Sequence, residues 1–379
     1  MARDPLFFQA YCQLAFTEIN IYGVLDHTPE SLAQAEAALQ SAARLRPDAG
    51  ETHLARARNL YWGHLDYDGA LRELEIARQS LPGEDWIFSL KGYIERRQGR
   101  WEECIRDLER ATELDPRNVL TLQQLALTYQ QLRRYAEEKS TYGRILAFEP
   151  NDPVTKSMHA FVELDSKADT RPLHEVTDSI RDKNPAALSS IADNWLLCAL
   201  AERDPAAAKN ALIALGENRA TLGPFTNGEV LNRPFMEGVI ARIAKDDVRA
   251  QAAFTAARAE QEKIVQAQPD FGPTLCVLGL IDAALGRKED ALREGRRAVE
   301  VCPIGKDALR GIAMIKYLAM IAAWAGDKDI ACEQLAIAIR NPSDLSYGQL
   351  KLFPFWDPLR GDPRFEKLAE EAKQPLALK

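Results

Sequence analysis

Basic residues are in the minority: 48 Lys and Arg against 56 Asp and Glu leave a net charge of −8 over 379 residues. That balance argues against a general affinity for nucleic-acid phosphates or an anionic membrane surface. Histidine is scarce, and His27, His53, His64, His159 and His174 are isolated from one another and read as ordinary surface or packing residues. Cys12, Cys104, Cys198, Cys276, Cys302 and Cys332 show no Cys-x-x-Cys spacing, so they read as reduced packing residues and not as a metal or disulfide framework. No apolar run approaches the ~18 residues of a membrane span, and no secretory leader is visible, which points to a cytoplasmic protein. Also missing are a Gly-x-x-x-x-Gly-Lys-Ser/Thr phosphate loop, a His-Glu-x-x-His pair and a Gly-x-Ser-x-Gly elbow. The acidic pairs Glu102-Glu103 and Glu137-Glu138 read as helix starts, where carboxylates favour the dipole, and not as paired catalytic acids. The expectation is a non-enzymatic chain with no catalytic residue, metal or cofactor.

What the chain has is a period. Tyr67, Trp101 and Tyr135 hold one slot at an offset of 34, Leu74, Leu108 and Tyr142 a second, Ala77, Ala111 and Ile145 a third, and Pro82, Pro116 and Pro150 close each unit. A repeat of that length accommodates two helices of about a dozen residues and two tight turns. Each unit is therefore a helical hairpin whose apolar face stays exposed until its neighbour covers it. Hydrophobic residues at 46% and charged residues at 27% suit such stacking and not a disordered chain. Asp-Pro pairs at Asp115-Pro116, Asp152-Pro153, Asp204-Pro205, Asp357-Pro358 and Asp362-Pro363 read as helix starts, with Asp capping and Pro in the first turn.

The slots Phe88, Gly92, Gly99, Trp101, Cys104, Leu108, Ala111 and Pro116 resemble the tetratricopeptide repeat, as do Leu278-Gly279, Gly286, Ala291, Ala298 and Pro303. The resemblance implies an all-α, right-handed α-solenoid of helix-turn-helix hairpins with a C-terminal capping segment. Residues 1–150 read as a regular array of about four hairpins, the first with an insertion around Tyr22 to Pro29. Residues 151–230 are degenerate hairpins and a long loop, 231–345 are hairpins with extended helices, and 346–379 form an aromatic-rich cap. The irregular stretch Leu215 to Pro234 is where a bend is expected. The long first copy and the tail also resemble tetratricopeptide regions fused to bacterial signalling proteins, which carry a serine/threonine kinase, adenylate cyclase or winged-helix module. Met1-Ala2-Arg3-Asp4-Pro5 reads like an inter-repeat junction, as though this were an excised domain.

In that family the first helix of each hairpin lines a concave groove. Carried onto this chain, the pattern puts Arg56, Asn59 and Trp62 in the groove from one hairpin, and Trp86, Tyr93, Arg96 and Arg97 from the next. The third hairpin adds Gln123, Gln124, Leu127 and Gln130. Amides, arginines and rings suit an extended peptide or protein partner. Ala55 stands where some family members carry a carboxylate-gripping lysine, so binding of chaperone tails is not expected. Further along, the matching slots turn apolar at Cys276, Leu280, Ala283, Ala284, Met320 and Trp324, and either the tail residues Phe353, Phe355 and Trp356 fold over them, the favoured expectation, or they form an apolar partner site. The leading expectation is an interaction scaffold, the regulatory or sensory arm of a bacterial signalling protein, with no nucleic-acid or membrane partner and an oligomeric state left open. The alternative is a module that senses a small molecule or short peptide through Asn151 to Pro234.

Overall fold

The computed structural model describes residues 6–26, 28–216 and 229–377. Among the described residues every regular element is helical and there is no strand. The chain divides into two compact units, Met1–Thr121 and Leu122–Lys379.

The first unit is built from three hairpins: α1 (Phe8–Asn20) with α2 (Pro29–Leu45), α3 (Gly50–Asn59) with α4 (Tyr67–Ser80), and α5 (Asp85–Arg97) with α6 (Trp101–Leu114). The inserted residues after α1 form a π-helical turn, Ile21–Asp26, before Thr28 caps α2 by accepting from the Ser31 amide. A second π-helical turn, Leu60–His64, prolongs α3. The unit boundary falls within α7 (Val119–Gln131).

The second unit continues with α8 (Tyr135–Phe148), α9 (Pro153–Lys167), α10 (Arg171–Lys183), α11 (Ala192–Ala201), α12 (Pro205–Leu215), α13 (Arg233–Ile243) and α14 (Asp247–Ala267). It closes with α15 (Gly272–Ala284), α16 (Lys288–Val301), α17 (Ala308–Trp324), α18 (Lys328–Ile339), α19 (Tyr347–Leu352) and α20 (Pro363–Glu371). Helix α14 runs 21 residues against 14 for α6, so the second helix of that copy is the long one its sequence implies. Most of the stretch assigned a bend lies at 217–228, outside the described residues.

The repeat slots explain why these helices pair. Ala70, Ala77, Cys104, Ala111, Ala291, Ala298, Ala331 and Ala338 are all fully buried, because only small side chains let two helix backbones approach. Gly92 makes the same point sharply: a Cβ there would come within 2.9 Å of Leu108 and 3.2 Å of the Cys104 carbonyl. All six cysteines are free thiols, and all but Cys12 are buried.

Hairpin turns need one residue in the left-handed region. Gly99 provides it at φ 76°, and at the same offset Leu65 (φ 53°) and Arg133 (φ 56°) are forced into it without being glycine. A side-chain-bearing residue there costs ~1–2 kcal/mol, partly offset by the extra freedom a glycine would lose. Leu65→Gly should therefore raise the stability of the first unit by up to about 1 kcal/mol in chemical denaturation. A lower denaturation midpoint would contradict the strain.

Two of the five Asp-Pro pairs behave differently from the helix starts expected of them. Asp152, Asp204 and Asp362 do cap α9, α12 and α20, each accepting from an amide of the first turn. Asp115 instead follows the end of α6 and accepts from the Arg117 amide, and the cap at the next helix is Asn118, whose Oδ1 accepts from the Thr121 amide at 3.1 Å. Asp357-Pro358 lies inside a 3₁₀ turn, Pro354–Leu359, where the Asp357 carboxylate takes Arg203 and Arg360. An Asx turn and an N-cap draw on the same side-chain chemistry, so the dipeptide alone does not separate them.

Candidate functional site

In the first unit the residues assigned to the groove cluster about α3 and α5. Asn59, Tyr93 and Arg96 are buried, and Arg56, Trp62, Trp86 and Arg97 are half-buried. Arg97 Nε donates to the Tyr61 hydroxyl at 2.9 Å, and the Arg96 guanidinium lies 5.6 Å from the Tyr93 ring centre. Trp62 meets Tyr61 edge-on at 4.7 Å and packs so closely on the π-helical turn that a Cβ at Gly23 would come within 2.9 Å of its ring. The π-helical register is what turns Tyr61 and Trp62 out of the regular α spacing.

At the centre of the cluster is a residue that the repeat pattern gave no reason to place in the groove. Arg58 occupies the small slot that Gly92 fills one repeat later, and its guanidinium lies 4.0 Å from the Phe16 ring centre and 4.7 Å from that of Trp86. Phe16 and Trp86 are themselves edge-to-face at 5.2 Å. Burial lowers Arg58 to about 10, against the opposing pull of Glu84 and Asp85. A large cation in a slot that packing reserves for glycine is the sequence signal that would have found it.

Buried atoms of this cluster that make no hydrogen bond include Arg58 Nε, Asn59 Nδ2 and the Tyr93 hydroxyl. Burial holds the Tyr93 hydroxyl well above the usual tyrosine range, so it is a neutral donor. Arg56 pairs with no carboxylate among the described residues, whereas most other arginines of the first unit are in ion pairs or internal hydrogen bonds. By contrast Ser89 is internal, sharing a hydrogen bond with Thr121 at 3.1 Å, and Thr52 donates to the Arg46 carbonyl.

Also in the first unit, Glu95 is 1% exposed and packs against Asp107 and Lys91. Burial, and then the contact with Asp107, push its carboxyl up to about 8. The folded chain thus keeps a proton that the unfolded chain releases, so this group's stabilising contribution is complete below the unfolded glutamate value and is lost as pH rises towards about 8. Glu95→Gln, which stays neutral, should lose less stability than the parent between about pH 5 and pH 8. Parallel pH profiles for the two proteins would contradict the raised value.

In the second unit the assigned residues have a different fate. Gln123 and Gln124 are half-buried, while Leu127 and Gln130 are buried. Gln130 Nε2 donates to Asp165 at 2.9 Å, and Asp165 also accepts from Ser346 Oγ at 2.6 Å and Gln349 Nε2 at 3.3 Å. Burial raises the Asp165 carboxyl to about 6, against the downward pull of these donors. The chain beyond α18 is held further by the Ser343 and Leu376 amides, which donate to the Gln131 and Leu132 carbonyls. Arg133, itself buried, donates to the Ile339 carbonyl.

The same segment packs on the apolar slot at Trp324. Trp324 stacks on Phe355 at 5.9 Å and donates its indole N–H to the Phe355 carbonyl, while Cys276, Leu280, Ala283 and Met320 are buried in the same core. Phe353, Phe355, Trp356 and Phe365 are each no more than 2% exposed, so the aromatic tail is a cap integral to the unit.

Among the described residues the histidines lie apart, and His159 is half-buried. His53 pairs with Glu73, His64 with Glu36 and His174 with Glu202, and His27 lies outside the described residues. Among the described residues no group of three or more His, Cys, Asp or Glu is placed to hold a metal ion, and no helix is long and apolar enough to cross a membrane.

No family model matches the chain. A stretch of 111 residues is 29% identical to sperm-associated antigen 1 of Mus musculus, covering 29% of this chain and 12% of that protein. The protein of the same name from Rattus norvegicus is 26% identical over 102 residues, 27% of this chain and 11% of the rat protein. The chain thus spans only a small part of these curated relatives' length. Among solved structures, yeast Tom70 superposes with a TM-score of 0.51 at 12% identity, covering 83% of this chain and 72% of that one. A tetratricopeptide repeat protein from Parabacteroides merdae superposes at 0.46 with 16% identity, covering 66% of this chain and 93% of that one. The fold is an α-solenoid of tetratricopeptide-type hairpins with a C-terminal cap.

Proposed function

We propose that this chain is a protein-interaction scaffold, and that the α3–α5 face of its first unit receives an extended peptide from a partner. The observation that carries this reading is the set of buried donors without hydrogen bonds, Arg58 Nε, Asn59 Nδ2 and Tyr93 Oη. Leaving a buried donor unpaired costs ~1–3 kcal/mol, a cost that the carbonyls of an extended backbone would remove once side chains of this face turn aside to admit them. Trp62 and Trp86 supply rings to bury its side chains, and Arg56, Arg96 and Arg97 supply charged donors. In the second unit Gln130 is already engaged by Asp165, and the apolar slots Cys276, Leu280, Ala283 and Met320 are already buried in the core, which favours the first unit as the binding surface.

The test is selection of peptides from a random display library on the intact chain, followed by titration against Asn59→Ala combined with Tyr93→Phe. The reading expects the selected peptides to lose about tenfold or more in affinity. Peptides that bind the double variant as tightly as the parent would overturn it.

The partner is a protein and not a nucleic acid, a preference supported by the net charge of −8. The setting we propose is the non-enzymatic, cytoplasmic arm of a bacterial signalling protein, resting on the likeness of the first copy and the tail to such regions. An immunoblot of the source organism tests it: a polypeptide much larger than this chain is expected, and one of the chain's own size would contradict a fused arm.

A further inference from the structure

The first unit also holds a cleft of about 400 Å³ between α4, α5 and α6, which shares no lining residue with the face described above. One wall is apolar, made by Leu71 and Leu74 of α4 and Ile87 and Phe88 of α5. The rest of the lining is charged, and its charges do not balance. Arg78 is matched by Glu75 at 2.7 Å, and Lys91 by Asp107 at 2.8 Å. Arg100 has no such match: its nearest carboxylate is Glu95, at 4.0 Å, and its hydrogen bond goes to the neutral Gln98 side chain at 2.6 Å. Glu95 does not compensate it at neutral pH, because burial and the adjoining Asp107 keep that carboxyl protonated.

Four apolar side chains and one unbalanced guanidinium lining a single cleft, with an ammonium among them, are complementary to a ligand with a hydrocarbon body and a single negative head. We propose that this cleft binds a small amphipathic carboxylate, its hydrocarbon part against Leu71, Leu74, Ile87 and Phe88 and its carboxylate on Arg100 and Lys91. A cationic head would instead meet the unmatched Arg100, and the like charges would repel it. The site is independent of peptide binding on the α3–α5 face, and either can fail without the other. Helix α5 carries residues of both, so a bound carboxylate is positioned to stiffen the helix that presents Trp86 and Tyr93.

Calorimetric titration of the intact chain with octanoate, octylammonium and octan-1-ol tests the proposal. Octanoate should bind saturably and more tightly than either control, and ¹³C-methyl shifts should move at Leu71, Leu74 and Ile87. Arg100→Gln, at an exposed position, should weaken octanoate about tenfold and leave octanol unchanged, with helix content retained by circular dichroism. Phe88→Ala should weaken octanoate and octanol together. Octylammonium binding as tightly as octanoate would overturn the assignment, as would unchanged octanoate affinity in Arg100→Gln, methyl shifts elsewhere, or no saturable binding at all.

Discussion

Gly348→Ala should cost the second unit about 3 kcal/mol or more, and release the chain beyond α18 to proteolysis. Gly348 lies in the first turn of α19, where that helix meets α9 with nothing between the two backbones. A Cβ at this position would lie 1.7 Å from the Leu164 carbonyl oxygen and 2.6 Å from its carbon. Neither atom belongs to a side chain that could change rotamer, so relief requires the two helices to part. Parting them would break the Ser346 and Gln349 hydrogen bonds to Asp165 and unseat Phe353, Phe355 and Trp356, because all belong to the same short segment. Chemical denaturation and limited proteolysis of the full chain read the two effects. A variant that unfolds and resists protease like the parent would show that α19 does not rest on α9 in this way.

Trp101→Ala should destabilise the first unit by ~3–5 kcal/mol, the range for removing a buried large aromatic without full collapse of the site. Trp101 opens α6 in the first aromatic slot of the 34-residue pattern and is 6% exposed. Its neighbours along α6, Cys104, Leu108 and Ala111, are all fully buried, so the helix cannot shift inward to fill the space without moving the slots that set its distance from α5. Denaturation followed by circular dichroism provides the measurement. Retention of the parent curve would contradict the burial of the slot.

These two positions mark where sequence reasoning succeeds and where it stops. Trp101 is legible because hairpin packing is local, and the period sets an aromatic ring in the same slot three times, at Tyr67, Trp101 and Tyr135. The caps at Asp152, Asp204 and Asp362 and the length of α14 are local in the same way. Gly348 carries no comparable signal, since its contact lies on a helix far back in the chain, and Ser346 reaches Asp165 across 181 residues. The period says that some segment must cover the last apolar face, and the aromatic run from Phe353 names it, but nothing in the spacing ties it to α9.

The candidate site divides along the same line. Arg56, Asn59, Trp62, Trp86, Tyr93, Arg96 and Arg97 follow from the repeat register. Which of them lack hydrogen bonds is set by the fold, as are the π-helical turns at Ile21–Asp26 and Leu60–His64, which no residue pattern announces. Arg58 could have been found as the one copy that sets a cation where Gly92 stands. Gln130 shows the converse: its register is that of a groove residue, and only the fold reveals that Asp165 engages its amide.

The most direct test of the account is hydrogen exchange of the intact chain, read by mass spectrometry with and without a peptide selected on it. Binding on the α3–α5 face predicts added protection in Gly50–His64 and Asp85–Arg97, lost together when Asn59→Ala and Tyr93→Phe are introduced. Protection confined to α15–α18 or to the segment from Tyr347 onward, with α3 and α5 unchanged, would contradict it and move the binding surface to the second unit.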